Sequence, residues 1–161
     1  MSVDSETFFD EPEFYCGRLE NLGFVIWHET PTVPRVETVI ATFPKLERTA
    51  GTGFAVMAIV TSNCAPIGPE VRTALNDGMR AHRDAVLAMA AVIEVPGVLG
   101  GLTRAIARTL NVVARSPFPL NTYGRIQDAS LWLPNIMSQR GANTVSSLQI
   151  VQAVDAGRRP R

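Results

Sequence analysis

The chain has 161 residues, and its 15 basic and 15 acidic side chains cancel; 46% of it is hydrophobic and 19% charged. That composition can bury a core, so it excludes a disordered tether, and the length fits one domain. The absence of a basic excess argues against DNA or RNA as a partner, because binding a phosphate backbone leaves one on the domain.

Residues 1–13 are acidic and lack the basic flank and apolar core of a signal peptide. They read as a flexible leader. EFYCGRLEN and GFVIWHET then read as two short strands joined in a hairpin near Asn21, Leu22 and Gly23. From Pro34 the spacing of Val36, Val39, Ile40, Phe43 and Leu46 predicts one helix, kinked or ended at Pro44 and stopped by GTG at 51–53. FAVMAIV at 54–60 is apolar throughout, as expected of a parallel strand covered on both faces.

Pro69 and Glu70 suit a first helical turn, with Val71, Leu75, Met79 and His82 along one face of the helix that follows. VLAMAAVI at 86–93 is a second buried strand. Leu99, Leu102, Ile106, Leu110 and Val113 mark a third helix; NTYGRI reads as a last strand, and Asp128 as the N-cap of DASLWLPNIMSQRG. Strands alternating with helices predict an α/β domain over residues 14–140, with a single mixed, largely parallel sheet packed by amphipathic helices. Residues 141–161 are a C-terminal extension or tail, either a short extra element or a frayed end. The greasiest region, VLAMAAVIEVPGVLGGL, is broken by Glu94, Pro96 and three glycines, so no integral membrane segment is expected.

The order of these elements, with Trp27 on an early strand, Phe43 and Leu46 on the first helix, and a closing Asp128-Ala129-Ser130-Leu131-Trp132-Leu133, resembles the SpoIIAA-like or STAS-like domains of bacteria over about residues 15–135. The resemblance implies an interaction module rather than a catalyst. Anti-sigma-factor-antagonist domains of this type are phosphorylated on a Ser, usually preceded by Asp, where a helix follows a buried strand. The matching junction here is TSNCAPIGPE, in which Ser62 has no Asp before it and Cys64 stands two residues on. The family's distant likeness to lipid-carrying folds keeps a small apolar ligand open.

Several residues carry chemistry by type. Cys64 near a helix N-terminus is the one candidate reactive thiol, since unpaired N–H groups there stabilise a thiolate. Against this, Pro66 and Pro69 remove two donors, no His lies nearby in sequence, and no second Cys is spaced for exchange. The turn is the favoured reading. His28 and His82 suit a strand and a last helical turn better than a base, and no His/Cys/Asp/Glu pair has metal-ligand spacing. Gly97, Gly100 and Gly101 do not form a phosphate-binding fingerprint. Arg104, Arg108 and Arg115 fall to one side of the third helix, either as a solvated face or as a docking surface. Trp27 and Trp132 sit among apolar neighbours, which favours core positions.

No catalytic residue, cofactor or metal is therefore expected, and two cysteines without a disulfide framework fit a reducing cytoplasm. The reading is a regulatory or scaffold module that binds a protein partner through Thr61, Ser62 and Asn63 with Gly100, Arg104 and Arg108, at the carboxyl ends of the strands. The alternative is a carrier or sensor of an apolar, lipid-like ligand held under the third helix. A homodimer is expected to pair through the sheet edge near residues 14–20.

Overall fold

The computed structural model describes residues 4–97, 117–142 and 145–158. Among them, six strands stand side by side in chain order: β1 (Ser5–Asp10), β2 (Phe14–Leu19), β3 (Leu22–Trp27), β4 (Phe54–Val60), β5 (Val86–Ile93) and β6 (Leu120–Tyr123). The first two pairings are antiparallel and the other three parallel, which makes one mixed, mostly parallel α/β sheet. The helices are α1 (Val33–Ile40), α2 (Phe43–Ala50), α3 (Pro69–Ala81), α4 (Ile126–Gln139) and α5 (Ser147–Arg158).

Side chains alternate along a strand, so each central strand feeds two cores. Phe24 and Ile26 of β3, with Ala55, Met57 and Ile59 of β4, pack under α4 and α5. Val25 and Trp27 pack with α1 and α3 on the opposite face, while Phe54 and Val56 meet Phe43 and Leu46 of α2 there. The β3–β4 and β4–β5 connections advance in the same direction across the sheet. A common crossover hand then places α1 to α3 on one face. Covered on both sides, β4 can be apolar at every position.

Three expectations are corrected. Residues 5–10 of the leader are not a flexible tail but strand β1, paired with β2 from Ser5↔Leu19 to Asp10↔Tyr15 across a bulge between Thr7 and Phe9. Consequently β2 is an inner strand, and its residues 14–19 offer no free edge to a second copy. The segment from Pro34 onward is two helices rather than one. The break falls at Ala41 and Thr42, where the buried Thr42 hydroxyl donates to the Val39 carbonyl (2.7 Å), so that Pro44 enters the first turn of α2.

Smaller adjustments follow the same physics. The β2–β3 turn is Glu20-Asn21, with Glu20 in the left-handed region at φ 52°, one residue earlier than the Asn-x-Gly signal suggested. Gly23 is instead needed for close packing, because a Cβ there would sit 2.6 Å from Leu46 Cδ1. Helix α4 starts at Ile126 with Arg125 as its N-cap; Asp128 lies in its first turn, where a carboxylate complements the helix dipole. The C-terminal extension is ordered as α5, which buries Ile150 and Val154 against the sheet. The third helix expected over 99–113 lies outside the described residues.

Candidate functional site

Strand β4 ends at Val60, and the chain then turns sharply toward α3. One acceptor organises the turn, the carbonyl of Trp27 at the end of β3. It receives the Thr61 hydroxyl (2.8 Å), the Thr61 N–H (3.3 Å) and the Cys64 thiol (3.2 Å). The Cys64 N–H closes the turn on the Thr61 carbonyl (3.1 Å), and the Ala65 N–H donates to Thr30 Oγ1 (2.8 Å). Thr61 and Cys64 are thus structural pins. Ser62 and Asn63, at the tip between them, are exposed, and among the described residues no hydrogen bond holds either side chain.

The thiol's environment decides the chemistry of Cys64. The side chain is buried, and desolvation pushes its pKa above the usual thiol value, more than the contacts with Thr61 pull it down. A thiol that donates to a carbonyl is the opposite of an activated nucleophile. Cys16 is more extreme, pushed up to about 12 by burial on β2. Burial and the bond to the Trp27 carbonyl fit the turn reading of Cys64 that the sequence favoured over a reactive thiol.

The neighbouring strand ends are held by ion pairs. Arg158, the last residue of α5, forms a two-pronged pair with Glu94 just after β5 (2.6 and 2.7 Å), and the Glu94 N–H donates to Val60 O (2.8 Å). Arg35 of α1 lies between Glu13 (3.5 Å) and Glu29 (3.6 Å). His28 is half-buried directly after β3, at this same edge. His82 is at the opposite end, before β5, where its Nδ1 meets Glu47 (2.6 Å) and its ring stands edge-on to Phe43. The two histidines lie at opposite ends of the sheet, and among the described residues no hydrogen bond links either to Cys64. Gly100, Arg104 and Arg108 lie outside the described residues. Trp27 is buried against Phe14, and Trp132 is half-buried beside Tyr123.

A second feature went unread in the sequence. An open groove of about 370 Å³ runs between β1 and α2, with Glu6, Phe8, Thr42, Lys45 and Arg48 among its lining. Lys45, the lone lysine, pairs with Glu6 and lies over the Phe8 ring at 5.1 Å, while Arg18 reaches Glu6 from β2 (3.3 Å). The bond from Lys45 holds the Glu6 carboxyl below its ordinary value; desolvation opposes it, and Arg18 adds a smaller downward pull. The sequence signal was Asp10-Glu11-Pro12-Glu13, a turn between two apolar runs that marks a hairpin.

Among the described residues no three His, Cys, Asp or Glu side chains gather as metal ligands, and no helix is long and apolar enough to cross a membrane. Comparisons of the chain with protein-family models, with curated proteins and with solved structures gave no match.

Proposed function

We propose that the chain is a non-catalytic regulatory or scaffold module of the STAS/SpoIIAA-like type, which binds a protein partner at the carboxyl ends of its parallel strands. The observation that carries this reading is the Thr61–Cys64 turn. Three donors converge on the Trp27 carbonyl and fix the backbone, while Ser62 and Asn63 stand exposed at the tip with no side-chain hydrogen bond among the described residues. A preformed loop of this kind loses little conformational entropy on binding, which favours recognition. The carboxyl edge of a parallel sheet is also where ligands and partners gather in open α/β folds.

The test is a photo-crosslinking amino acid placed at Asn63 and, as a control, at Thr49 on α2. A defined protein adduct from position 63, absent from position 49 and lost when Ser62→Arg is added, is the expected result. Native and denatured masses of freshly purified protein separate this from the carrier of an apolar ligand. A mass excess lost on denaturation, with no adduct at position 63, would replace the partner-binding reading.

A further inference from the structure

We propose that the segment from Asp4 to Thr7, the amino half of β1 with the residue before it, is an acid-sensitive latch: neutralising Asp4 and Glu6 lets it lift from β2 while the rest of the sheet stays folded. The inference is independent of the strand-end reading above, since it concerns the amino end of the edge strand.

The argument starts at Arg18 on β2. Its side chain is 8% exposed, and a charge so far from water must be paired to stay there. Both counter-charges come from this segment, Asp4 at 2.8 Å and Glu6 at 3.3 Å, and the Glu20 carbonyl adds a third contact at 3.2 Å. The second Glu6 oxygen meets Lys45 of α2, with Arg48 lining the same groove. From the β2–β3 turn, the Glu20 carboxylate accepts the Asp4 N–H (2.9 Å).

Little else holds the segment. None of its four side chains is apolar; Asp4, Ser5 and Thr7 are exposed and Glu6 is half-buried. Beyond the ladder to β2, the Thr7 hydroxyl meets that of Tyr15 (2.7 Å). The carboxyl half of β1 differs, because Phe8 and Phe9 pack half-buried on the α1 to α3 face and Phe9 touches the Phe14 ring. Just past it, the Glu11 N–H closes on the Phe14 carbonyl (2.9 Å). The register breaks between Thr7 and Phe9, so the bulge marks where one half can move without the other.

At neutral pH the carboxylates keep Arg18 paired. Glu6 titrates below its ordinary value, chiefly because of Lys45, so its contribution is complete above the ordinary carboxylate range and is lost as pH falls through the lowered folded value. Once Asp4 and Glu6 are neutral, Arg18 is a buried cation without a counter-charge. Lifting the segment returns the guanidinium to water at the loss of a few exposed polar contacts. What it uncovers is the β2 edge at residues 17–19.

The experiment is residue-resolved amide hydrogen exchange by NMR on the full chain, for the wild type, the double variant Asp4→Asn with Glu6→Gln, and Arg18→Met. Two amides report: Glu20 N–H, which donates to the Asp4 carbonyl (2.7 Å), and Ala55 N–H inside the sheet, which donates to the Asn21 carbonyl (3.0 Å). At pH 7 the double variant, which keeps the side-chain shapes and removes the charges, should lower Glu20 protection by about tenfold or more and leave Ala55 unchanged. In the wild type, with rates corrected for the intrinsic effect of pH, Glu20 should lose protection at a higher pH than Ala55 as the solution is taken from pH 7 toward about pH 3. In Arg18→Met, where an apolar side chain replaces the buried cation, that acid step should vanish. Should Arg18→Met fail to fold, the double variant at neutral pH carries the test. The proposal is overturned by Glu20 protection that the double variant leaves unmoved, by its loss in step with Ala55, or by an acid step that survives in Arg18→Met.

Discussion

At the scale of single residues, the two cysteines show how burial sets chemistry. The Cys16 thiol is pushed from an ordinary 9.0 up to about 12, chiefly by desolvation, with the Thr42 contact pulling partly back; Cys64 moves the same way. Below pH 9 the thiol is neutral in both the folded and the unfolded chain and adds no pH dependence. Between 9.0 and about 12 the unfolded chain releases a proton that the folded chain retains, so stability present at neutral pH is lost as pH rises, at up to about 1.4 kcal/mol per pH unit for one group. Urea midpoints taken at pH 9 and at about pH 11 should therefore fall more steeply for the wild type than for Cys16→Ala, although the variant starts roughly 1–2 kcal/mol less stable from its small cavity. Parallel slopes in the two proteins would assign the alkaline loss to other groups.

At the scale of elements, α5 separates burial from exposure within one turn. Ile150 is 1% exposed and packs with Val154 on the sheet, whereas Leu148, two residues earlier, is mostly in solvent. Ile150→Ala should cost about 2–5 kcal/mol in urea unfolding, and Leu148→Ala well under 1. Equal costs would mean that α5 is not docked as described. Its docking is close: a Cβ on Gly157 would come within 2.9 Å of Ile26 Cδ1 and of Tyr15. The sequence announces the strands FAVMAIV and VLAMAAVI because unbroken apolar runs between turn signals have few other folds. It hides β1 because an acidic, half-exposed edge strand has the composition of a leader, and only its pairing with β2 gives it structure. The break between α1 and α2 is equally hidden, since the apolar spacing runs on through Thr42 and the stop depends on a buried hydroxyl. The strand-end turn was legible as a turn. Its convergence on the Trp27 carbonyl was not, because that acceptor lies 34 and 37 residues away in sequence from its donors.

At the scale of the whole molecule, the sheet is a partition between two helical layers, and the question is whether the layers stand or fall together. Strand β4 bears on this directly, because Ala55, Met57 and Ile59 serve one core while Phe54 and Val56 serve the other. No backbone rearrangement of β4 can free one face and leave the other packed. The two tryptophans report the faces separately: Trp27 is buried on the α1 and α3 side, and Trp132 is half-buried on the α4 and α5 side. In Trp27→Phe the remaining fluorescence follows the α4 layer, and in Trp132→Phe it follows the α1 layer. Within each variant the urea transition by fluorescence should coincide with that by far-UV circular dichroism, as a two-state domain of this size requires. A fluorescence midpoint for Trp132 well below the circular dichroism midpoint of the same protein would instead mean that α4 and α5 peel away while the sheet persists. Among the described helices the sheet would then be held by α1 to α3, and the outer helical layer would be a detachable element rather than half of a shared core.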